Sequence, residues 1–142
     1  MNATITKFGY PASLLHEYES WVVLLRPVQP TLGSLVLACR EEVNSLGAVS
    51  AAAWSELAVA TAELERVLRA AFDYQKINYL ALMMVDPHVH FHVIPRYASS
   101  REFGGATCLD AAWPKPPDLG TTLPLTPAQM SLLHATLRAA WK

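Results

Sequence analysis

The feature that most constrains this chain is a row of histidines at every second position of one short segment, His88-Val89-His90-Phe91-His92. Successive side chains of a β-strand point to opposite faces, so the three imidazoles are predicted to share one face of a strand. The apolar residues between them predict that the other face packs on a core. Buried imidazoles need hydrogen-bond partners, so the row indicates chemistry rather than packing alone.

Two kinds of chemistry fit such a row. In the first, the histidines bind a metal ion, because neutral imidazole is a common zinc ligand. Further ligands would then come from His16, Glu17, Glu19 or Asp86. In the second, one neutral imidazole attacks phosphorus while its neighbours donate hydrogen bonds to the phosphoryl oxygens, and no cofactor is required. The residue pattern by itself leaves both possibilities open.

The composition excludes several other classes of protein. Apolar residues make up 52% of the 142 residues and charged residues 16%, so the chain is too hydrophobic to be disordered. A formal net charge of -1, with the basic residues scattered, provides no field that would attract nucleic acid or an anionic membrane. The shortage of charge instead predicts that apolar surface is covered by a second copy of the chain.

The cysteines and the chain start suggest a reducing compartment. Cys39 and Cys108 match no zinc-binding spacing and are predicted to be free thiols. The first residues lack the charged and apolar regions of a secretory signal. No apolar run approaches the roughly 20 residues that cross a bilayer. We therefore expect a cytoplasmic protein that does not insert into a membrane.

Hydrophobic periodicity predicts five strands, two helices and one long loop. Ser50 is a candidate N-cap for a main helix of about 22 residues, and Thr126-Pro127 is typical of the start of a second helix. The strands are expected in two runs within residues 14–25, divided at Glu19-Ser20, and then at 34–39, 77–85 and 89–97. These elements predict a single α+β domain over residues 1–142, with its core at 12–97, a loop at 98–125 and a C-terminal helix at 126–142.

The histidine row followed by Pro95-Arg96 resembles the signature of the histidine triad (HIT) superfamily of nucleotidyl hydrolases and transferases. The order of predicted elements agrees with that family over residues 12–97. The resemblance implies a five-stranded antiparallel sheet with the long helix packed on it. It also implies a homodimer with a continuous ten-stranded sheet, and purine nucleotide substrates that are nucleoside phosphoramidates or dinucleoside polyphosphates.

The resemblance also implies a role for each histidine. His90 would be the nucleophile that accepts a nucleoside monophosphoryl group and later yields it to water. The carbonyl of His88 would orient the His90 ring, and His92 would hydrogen-bond a phosphoryl oxygen or the leaving group. No cofactor or metal is implied. A nucleotide-binding relative with little turnover is the alternative within the same superfamily.

The sequence departs from the family at three places that bind substrate. Ser34 stands where many members have a further histidine, and Arg26 lies near the usual position of an acidic or amide ribose ligand. Residues 82–87 contain none of the glycines and hydroxyls of the usual phosphate loop. We expect other polar or aromatic side chains to compensate, and the candidate substrate-binding residues are Asn78, Arg26, Ser34, Gln29 and Trp113.

Overall fold

The computed structural model describes residues 1–141, so Lys142 of the predicted last helix lies outside the described residues. The elements in chain order are α1 (Ala3–Lys7), β1 (Leu14–Glu17), β2 (Trp21–Leu25), β3 (Leu35–Cys39), α2 (Ala51–Phe72), β4 (Lys76–Leu80), β5 (His90–Arg96), β6 (Arg101–Phe103), β7 (Ala106–Cys108) and α3 (Pro127–Ala140).

The main sheet has five antiparallel strands in the order β1-β2-β3-β5-β4. Every residue of β2 and β3 is buried, because helices cover both faces of these inner strands. Strands β1 and β4 form the two edges. The predicted α+β fold, with a five-stranded antiparallel sheet, a long helix and a C-terminal helix, is confirmed.

The long helix α2 packs on one face of this sheet. The Ser50 hydroxyl caps it by accepting a hydrogen bond from the Ala53 amide at 3.1 Å, as the sequence predicted. Leu64 and Phe72 belong to its buried stripe, and the helix ends where Asp73 adopts a φ of 50°. Helix α3 adds Leu133 and Leu137 to the same core, and its Thr126 and Gln129 form a capping box.

The opposite face of the sheet is covered by α1, which the sequence analysis did not predict. Ile5 is fully buried there among apolar residues of β2 and β3. Asn2 caps this helix through its Oδ1 and donates from Nδ2 to the carbonyl of Cys39 at 2.9 Å. A five-residue helix is too short to show an amphipathic period, so no sequence pattern announced it.

Two predictions about the secondary structure were wrong, one on the end of a strand and one on the long loop. Strand β4 ends at Leu80 rather than at residue 85, and the chain beyond it exposes Met84 and Val85 to solvent. The predicted loop 98–125 contains the β6–β7 hairpin, whose turn is formed by Gly104 and Gly105 with φ values of 56° and 85°. Both glycines adopt the left-handed conformations that a two-residue hairpin turn requires.

The rest of segment 98–125 is attached to the sheet by a buried ion pair. Arg96, at the end of β5, is 3% exposed and donates from Nε to Asp110 at 2.7 Å. It also donates from Nη1 to the side chain of Asn78 at 2.9 Å and from Nη2 to the carbonyl of Lys115 at 2.7 Å. One guanidinium therefore joins β5, β4 and the segment that follows the hairpin.

Both cysteines are buried free thiols. Within the described part of the chain, no helix is long and apolar enough to cross a bilayer.

Replacing Asp110 with alanine is expected to lower the free energy of unfolding by about 3–5 kcal/mol, because the charge of Arg96 would stay buried without its partner. Asp118→Ala is the matched control, since the Asp118 side chain is exposed and accepts one local hydrogen bond. Urea unfolding followed by circular dichroism measures both variants. If both variants lost the same small amount of unfolding free energy, the ion pair would not be what holds the segment to the sheet.

Candidate active site

The centre of the site is the imidazole of His90, the first residue of β5. Its Nδ1 lies 2.7 Å from the carbonyl oxygen of His88. A carbonyl can only accept, so Nδ1 carries the proton and the lone pair of the neutral ring lies on Nε2. This is the tautomer that a nucleophilic histidine needs, and the contact is the one that the family resemblance implies.

His92 lies beside His90 on the same face of β5, with the ring centroids 5.0 Å apart and the rings nearly perpendicular. The Nε of Arg26 donates a long hydrogen bond of 3.4 Å to Nδ1 of His92. An imidazole nitrogen that accepts carries no proton, so the proton of neutral His92 is on Nε2. The pair thus combines a free lone pair on His90 with an N–H donor on His92.

Burial lowers the pKa of His92 to about 4, and positive charge on His90 and Arg26 acts in the same direction. His92 is therefore neutral at pH 7 and keeps the tautomer that Arg26 selects. Burial also lowers the pKa of the Arg26 guanidinium. Arg26 therefore donates its hydrogen bond to a ring that stays neutral throughout the physiological pH range.

The aromatic ring of Phe8 covers the two histidines. Its centroid lies 5.5 Å from that of His90 and 5.8 Å from that of His92, which leaves the residues 2% and 8% exposed. No buried side-chain nitrogen or oxygen of residues 1–141 lacks a hydrogen-bond partner. The Nε2 atoms of His90 and His92 have no protein partner, so both still contact solvent.

The prediction that all three histidines share a strand face needs correction at His88. This residue precedes β5, and its ring is bonded to the Thr4 hydroxyl at 3.0 Å through Nδ1 and to Glu42 at 2.9 Å through Nε2. Its contribution to the site is its carbonyl. Its ring instead attaches α1, and with it Phe8, to the segment before β5.

Gln29 and Ser34 do not reach the site, contrary to the sequence prediction. Gln29 is 1% exposed; its amide nitrogen donates to the carbonyls of Arg26 and Ser34, and its oxygen accepts from the amides of Gly33 and Ser34. Ser34 is fully buried and donates to the carbonyl of Thr31. Both side chains build the turn between β2 and β3, which positions Arg26.

Asn78 and Trp113 line a neighbouring cavity of about 720 Å³ on the β4 side of His92. The Asn78 side chain accepts from Arg96 and so belongs to the floor of this cavity rather than to the immediate surroundings of His90. Arg26 is thus the predicted substrate-binding residue that directly contacts a histidine of the pair.

The candidate metal ligands are dispersed. His16 stacks on Trp141, Glu17 accepts from the hydroxyl of Tyr10, and Asp86 forms an ion pair with Lys7 at 2.7 Å. Among residues 1–141, no three side chains of the His, Cys, Asp or Glu type are grouped so that they could hold one ion. Among these residues, His90 and His92 therefore have no third side chain of these types beside them that could complete a metal site.

Sequence reasoning missed Phe8, Thr4 and Glu42. Thr4 and Phe8 belong to α1 and its C-cap, and they approach β5 from more than 80 positions away in the chain. The motif itself carries no signal for a partner so distant in sequence.

Nuclear magnetic resonance titration of ¹³C-labelled histidine is expected to give His92 a pKa of about 4. Arg26→Met is expected to raise that pKa, because it removes a neighbouring positive charge. Arg138→Met is the control, since Arg138 is an exposed arginine of α3 and its loss should not move the titration of His92. A wild-type pKa near the ordinary value for histidine would contradict the buried, Arg26-bonded ring.

Solved structures of histidine triad proteins share the fold of this chain. One from Bradyrhizobium japonicum has a TM-score of 0.76 at 17% sequence identity, and the match covers 100% of this chain and 97% of that one. One from Sinorhizobium meliloti has a TM-score of 0.75 at 18% identity, with 99% and 95% covered. A Zn-bound histidine triad family protein from Mycobacterium smegmatis has a TM-score of 0.62 at 18% identity, with 96% and 88% covered.

No curated protein matches the sequence of this chain. The family model of the HIT domain matches residues 11–99, which is more than half of the chain. The matched region holds the five strands of the main sheet, the long helix and the histidine row. This chain therefore belongs to the HIT domain family.

Proposed function

We propose that the protein is a nucleotide hydrolase or nucleotidyl transferase that acts through a covalent His90–nucleotidyl intermediate. It cleaves at the α-phosphate of a nucleoside phosphoramidate or a dinucleoside polyphosphate, with a purine as the base. One observation carries this proposal: Nδ1 of His90 is bonded to the His88 carbonyl, which leaves the Nε2 lone pair beside an N–H donor on His92. Membership of the HIT family supports nucleotide binding more generally.

In the first step the Nε2 lone pair of His90 attacks the α-phosphorus. The bond from phosphorus to the leaving nitrogen or oxygen breaks, and its electron pair goes with the leaving group, which takes a proton from solvent if it needs one. The phosphorylated ring keeps its Nδ1 proton and is therefore cationic. The His88 carbonyl stabilises that charge by accepting the proton's hydrogen bond.

In the second step water attacks phosphorus and the P–Nε2 bond breaks. Its electron pair returns to Nε2 of His90, the water gives a proton to solvent, and the nucleoside monophosphate is released. Another acceptor in place of water would give a transferase. Both steps leave the tautomer of His90 unchanged, so the hydrogen bond to His88 serves the whole cycle.

His92 and Arg26 supply the donors for the phosphoryl oxygens. The neutral ring of His92 offers its Nε2 proton, since Arg26 occupies Nδ1. The guanidinium of Arg26 uses Nε for His92 and Nη1 for the carbonyl of Val28. Within residues 1–141 its Nη2 has no partner, so it is available to a phosphate. These donors replace the glycines and hydroxyls that residues 82–87 lack.

A nucleotide-binding protein with little turnover is the second candidate function. It is favoured by the low exposure of His90, which is 2% because Phe8 lies over its ring. The small exposed area of His90 restricts the approach of a phosphate to Nε2, which would slow the first chemical step. The two functions share the same site and differ in rate.

The protein is also proposed to be a homodimer whose β4 edges pair to form a ten-stranded sheet. Strand β4 is at the edge of the sheet, where its outer backbone groups have no strand partner among the described residues. Beside it lies a groove of about 250 Å³ whose lining is mostly apolar and includes Leu57, Tyr79 and Phe91 together with Thr61 and Glu65, and Trp54 is exposed on the same helix. Such apolar surface next to a free edge favours association.

His90→Ala is expected to lower the release of adenosine monophosphate from adenosine 5′-phosphoramidate by at least about 10³-fold, because the nucleophile is lost. His92→Ala is expected to cost about 10²–10³-fold, the usual effect of removing one donor to a developing charge. His134→Ala is the matched control, since His134 lies on α3 and is bonded to the carbonyl of Leu14. Mass spectrometry of the wild type should also detect an added adenylyl group.

If the His90→Ala variant cleaved the phosphoramidate as fast as the wild type, the covalent mechanism would be overturned. Tight binding of adenosine monophosphate without turnover of any phosphoramidate or dinucleoside polyphosphate would instead establish the second candidate function.

Sedimentation equilibrium is expected to give twice the chain mass of 15.6 kDa. Thr61→Arg should shift the protein toward monomer, because its long side chain would fill the groove that the second copy is expected to cover. Ala71→Arg, an exposed position in the last turn of the same helix, should leave the mass unchanged. A monomeric wild type would contradict pairing along β4.

A further inference from the structure

The His88 carbonyl, which sets the tautomer of His90, belongs to a residue outside the hydrogen-bonded ladder of the sheet. Residue 88 precedes β5, and the next backbone nitrogen, that of Val89, donates to the carbonyl of Val43 at 2.9 Å. A peptide group is planar, so the Val89 N–H and the His88 C=O point to opposite sides of one rigid unit. Val43 therefore holds one end of this unit, and the other end faces Nδ1 of His90 at 2.7 Å.

Three further hydrogen bonds hold residue 88 itself. Its backbone N–H donates to the hydroxyl oxygen of Thr4 at 3.3 Å. The Nδ1 atom of its ring lies 3.0 Å from the same oxygen, and Nε2 lies 2.9 Å from a carboxylate oxygen of Glu42. Rotation of residue 88 about its backbone would break these contacts. The side chains of Thr4 and Glu42 thus fix the residue whose carbonyl faces His90.

The protons of this cluster have one consistent arrangement when the His88 ring is neutral. A carboxylate only accepts, so Nε2 of His88 carries the proton and donates it to Glu42. Nδ1 is then unprotonated and accepts from the Thr4 hydroxyl, whose oxygen accepts from the backbone N–H of residue 88. A hydroxyl can donate and accept through one atom. Valine has nearly the shape of threonine but can form neither contact.

The contact between Thr4 and His88 is separate from the contacts that pack α1. The neighbouring Ile5 is fully buried against β2 and β3. Lys7 attaches the same helix to Asp86 through an ion pair at 2.7 Å. Thr4 is 2% exposed although it is polar, and its hydroxyl reaches residue 88. The helix is therefore held by several contacts, of which the Thr4 hydroxyl bears on the residue next to the nucleophile.

We propose that Thr4 and Glu42 are positioning residues for the nucleophile. By holding residue 88 they aim its carbonyl at Nδ1 of His90, which keeps the proton on Nδ1 and the lone pair on Nε2. This inference rests on the proposed function. Both side chains act through the His88 carbonyl, and the bonds that form and break are those of the proposed reaction.

The position of the carbonyl matters most while phosphorus is bonded to Nε2 of His90. The ring is then cationic, and its Nδ1 proton is stabilised by an acceptor that is already in place. The hydrogen bond from Val89 to Val43 polarises the same peptide group and strengthens the His88 carbonyl as an acceptor. A displacement of about 1 Å at such a contact can cost about 10²-fold in rate.

The first test removes the Thr4 hydroxyl and keeps the shape of the side chain. Thr4→Val is expected to lower kcat/KM for adenosine 5′-phosphoramidate by about tenfold to a hundredfold, because the carbonyl is no longer held in place. Thr4→Ser should restore the rate, since serine keeps the hydroxyl. The Kd of adenosine monophosphate should stay at its wild-type value in both variants.

Thr6→Val is the matched control for the rate. It is the same substitution on the same helix, but the exposed Thr6 hydroxyl donates to the backbone carbonyl four positions earlier. Its kcat/KM should equal that of the wild type.

Nuclear magnetic resonance of ¹⁵N-labelled histidine shows which ring nitrogen of His90 carries the proton. The wild type is expected to carry it on Nδ1, and Thr4→Val should add a population that carries it on Nε2. Thr4→Ser should remove that population. Lys7→Met breaks the ion pair between α1 and Asp86 and preserves the contacts of residue 88, so the His90 tautomer should stay that of the wild type. Loosening of α1 alone would change the tautomer in both variants.

Glu42→Ala keeps the inference testable if Thr4→Val does not fold. The Glu42 side chain is 73% exposed, so its removal should cost little stability. The variant should lower kcat/KM and shift the His90 tautomer in the same directions as Thr4→Val. The role of each residue is decided by its own variant.

The rate and the tautomer together distinguish failure of this inference from failure of the proposed function. If the wild type turns over and a variant changes neither quantity, or only one of them, the positioning role of that residue is overturned. If the wild type does not turn over but Thr4→Val shifts the His90 tautomer, the proposed function falls while the control of the ring by Thr4 stands. Neither turnover nor a shift would overturn both.

Discussion

The hydrogen bond from Nδ1 of His90 to the carbonyl of His88 is the interaction on which the site depends. It exists because β5 begins at His90, so the preceding peptide is free to turn its carbonyl toward the ring. Arg26 imposes the opposite tautomer on His92, whose ring lies 5.0 Å away. Two chemically identical side chains thereby present different groups at Nε2, a lone pair on His90 and an N–H on His92.

This division between the two rings depends on burial as well as on hydrogen bonds. A low local dielectric penalises the protonated form of His92, whose pKa falls to about 4. The burial comes from the N-terminal segment, where Ile5 fills the apolar face and Phe8 covers the rings. The segment is held by the cap at Asn2 and by the contact between Thr4 and His88. Packing of the N-terminal segment therefore controls the protonation of His92.

The sequence predicted those parts of the fold that depend on local periodicity. Alternation placed His90 and His92 on one face, and the helical period identified α2 with its cap at Ser50. It failed where a distant partner decides the conformation. His88 looks like a strand residue by spacing, yet its ring is bonded to Thr4 and lies outside β5.

The same limit explains the errors at polar residues. Ser34 was predicted to bind substrate because many family members have a histidine at its position, and Gln29 because its polar side chain was expected to compensate for missing ligands. Their amides and hydroxyls instead satisfy backbone groups of a buried turn, which no local pattern specifies. The hairpin β6–β7 was missed for a different reason: each strand has three residues, too few to establish an alternating period.

The buried guanidinium of Arg96 reaches the 113–117 segment through the peptide oxygen of Lys115, not through any side chain of that segment. The backbone position of this segment therefore does not depend on its side chains. Arg96 holds the same peptide oxygen whichever residues stand at positions 113 and 115. Relatives that keep Arg96 can thus present different side chains at positions 113 and 115 at little expense to folding stability.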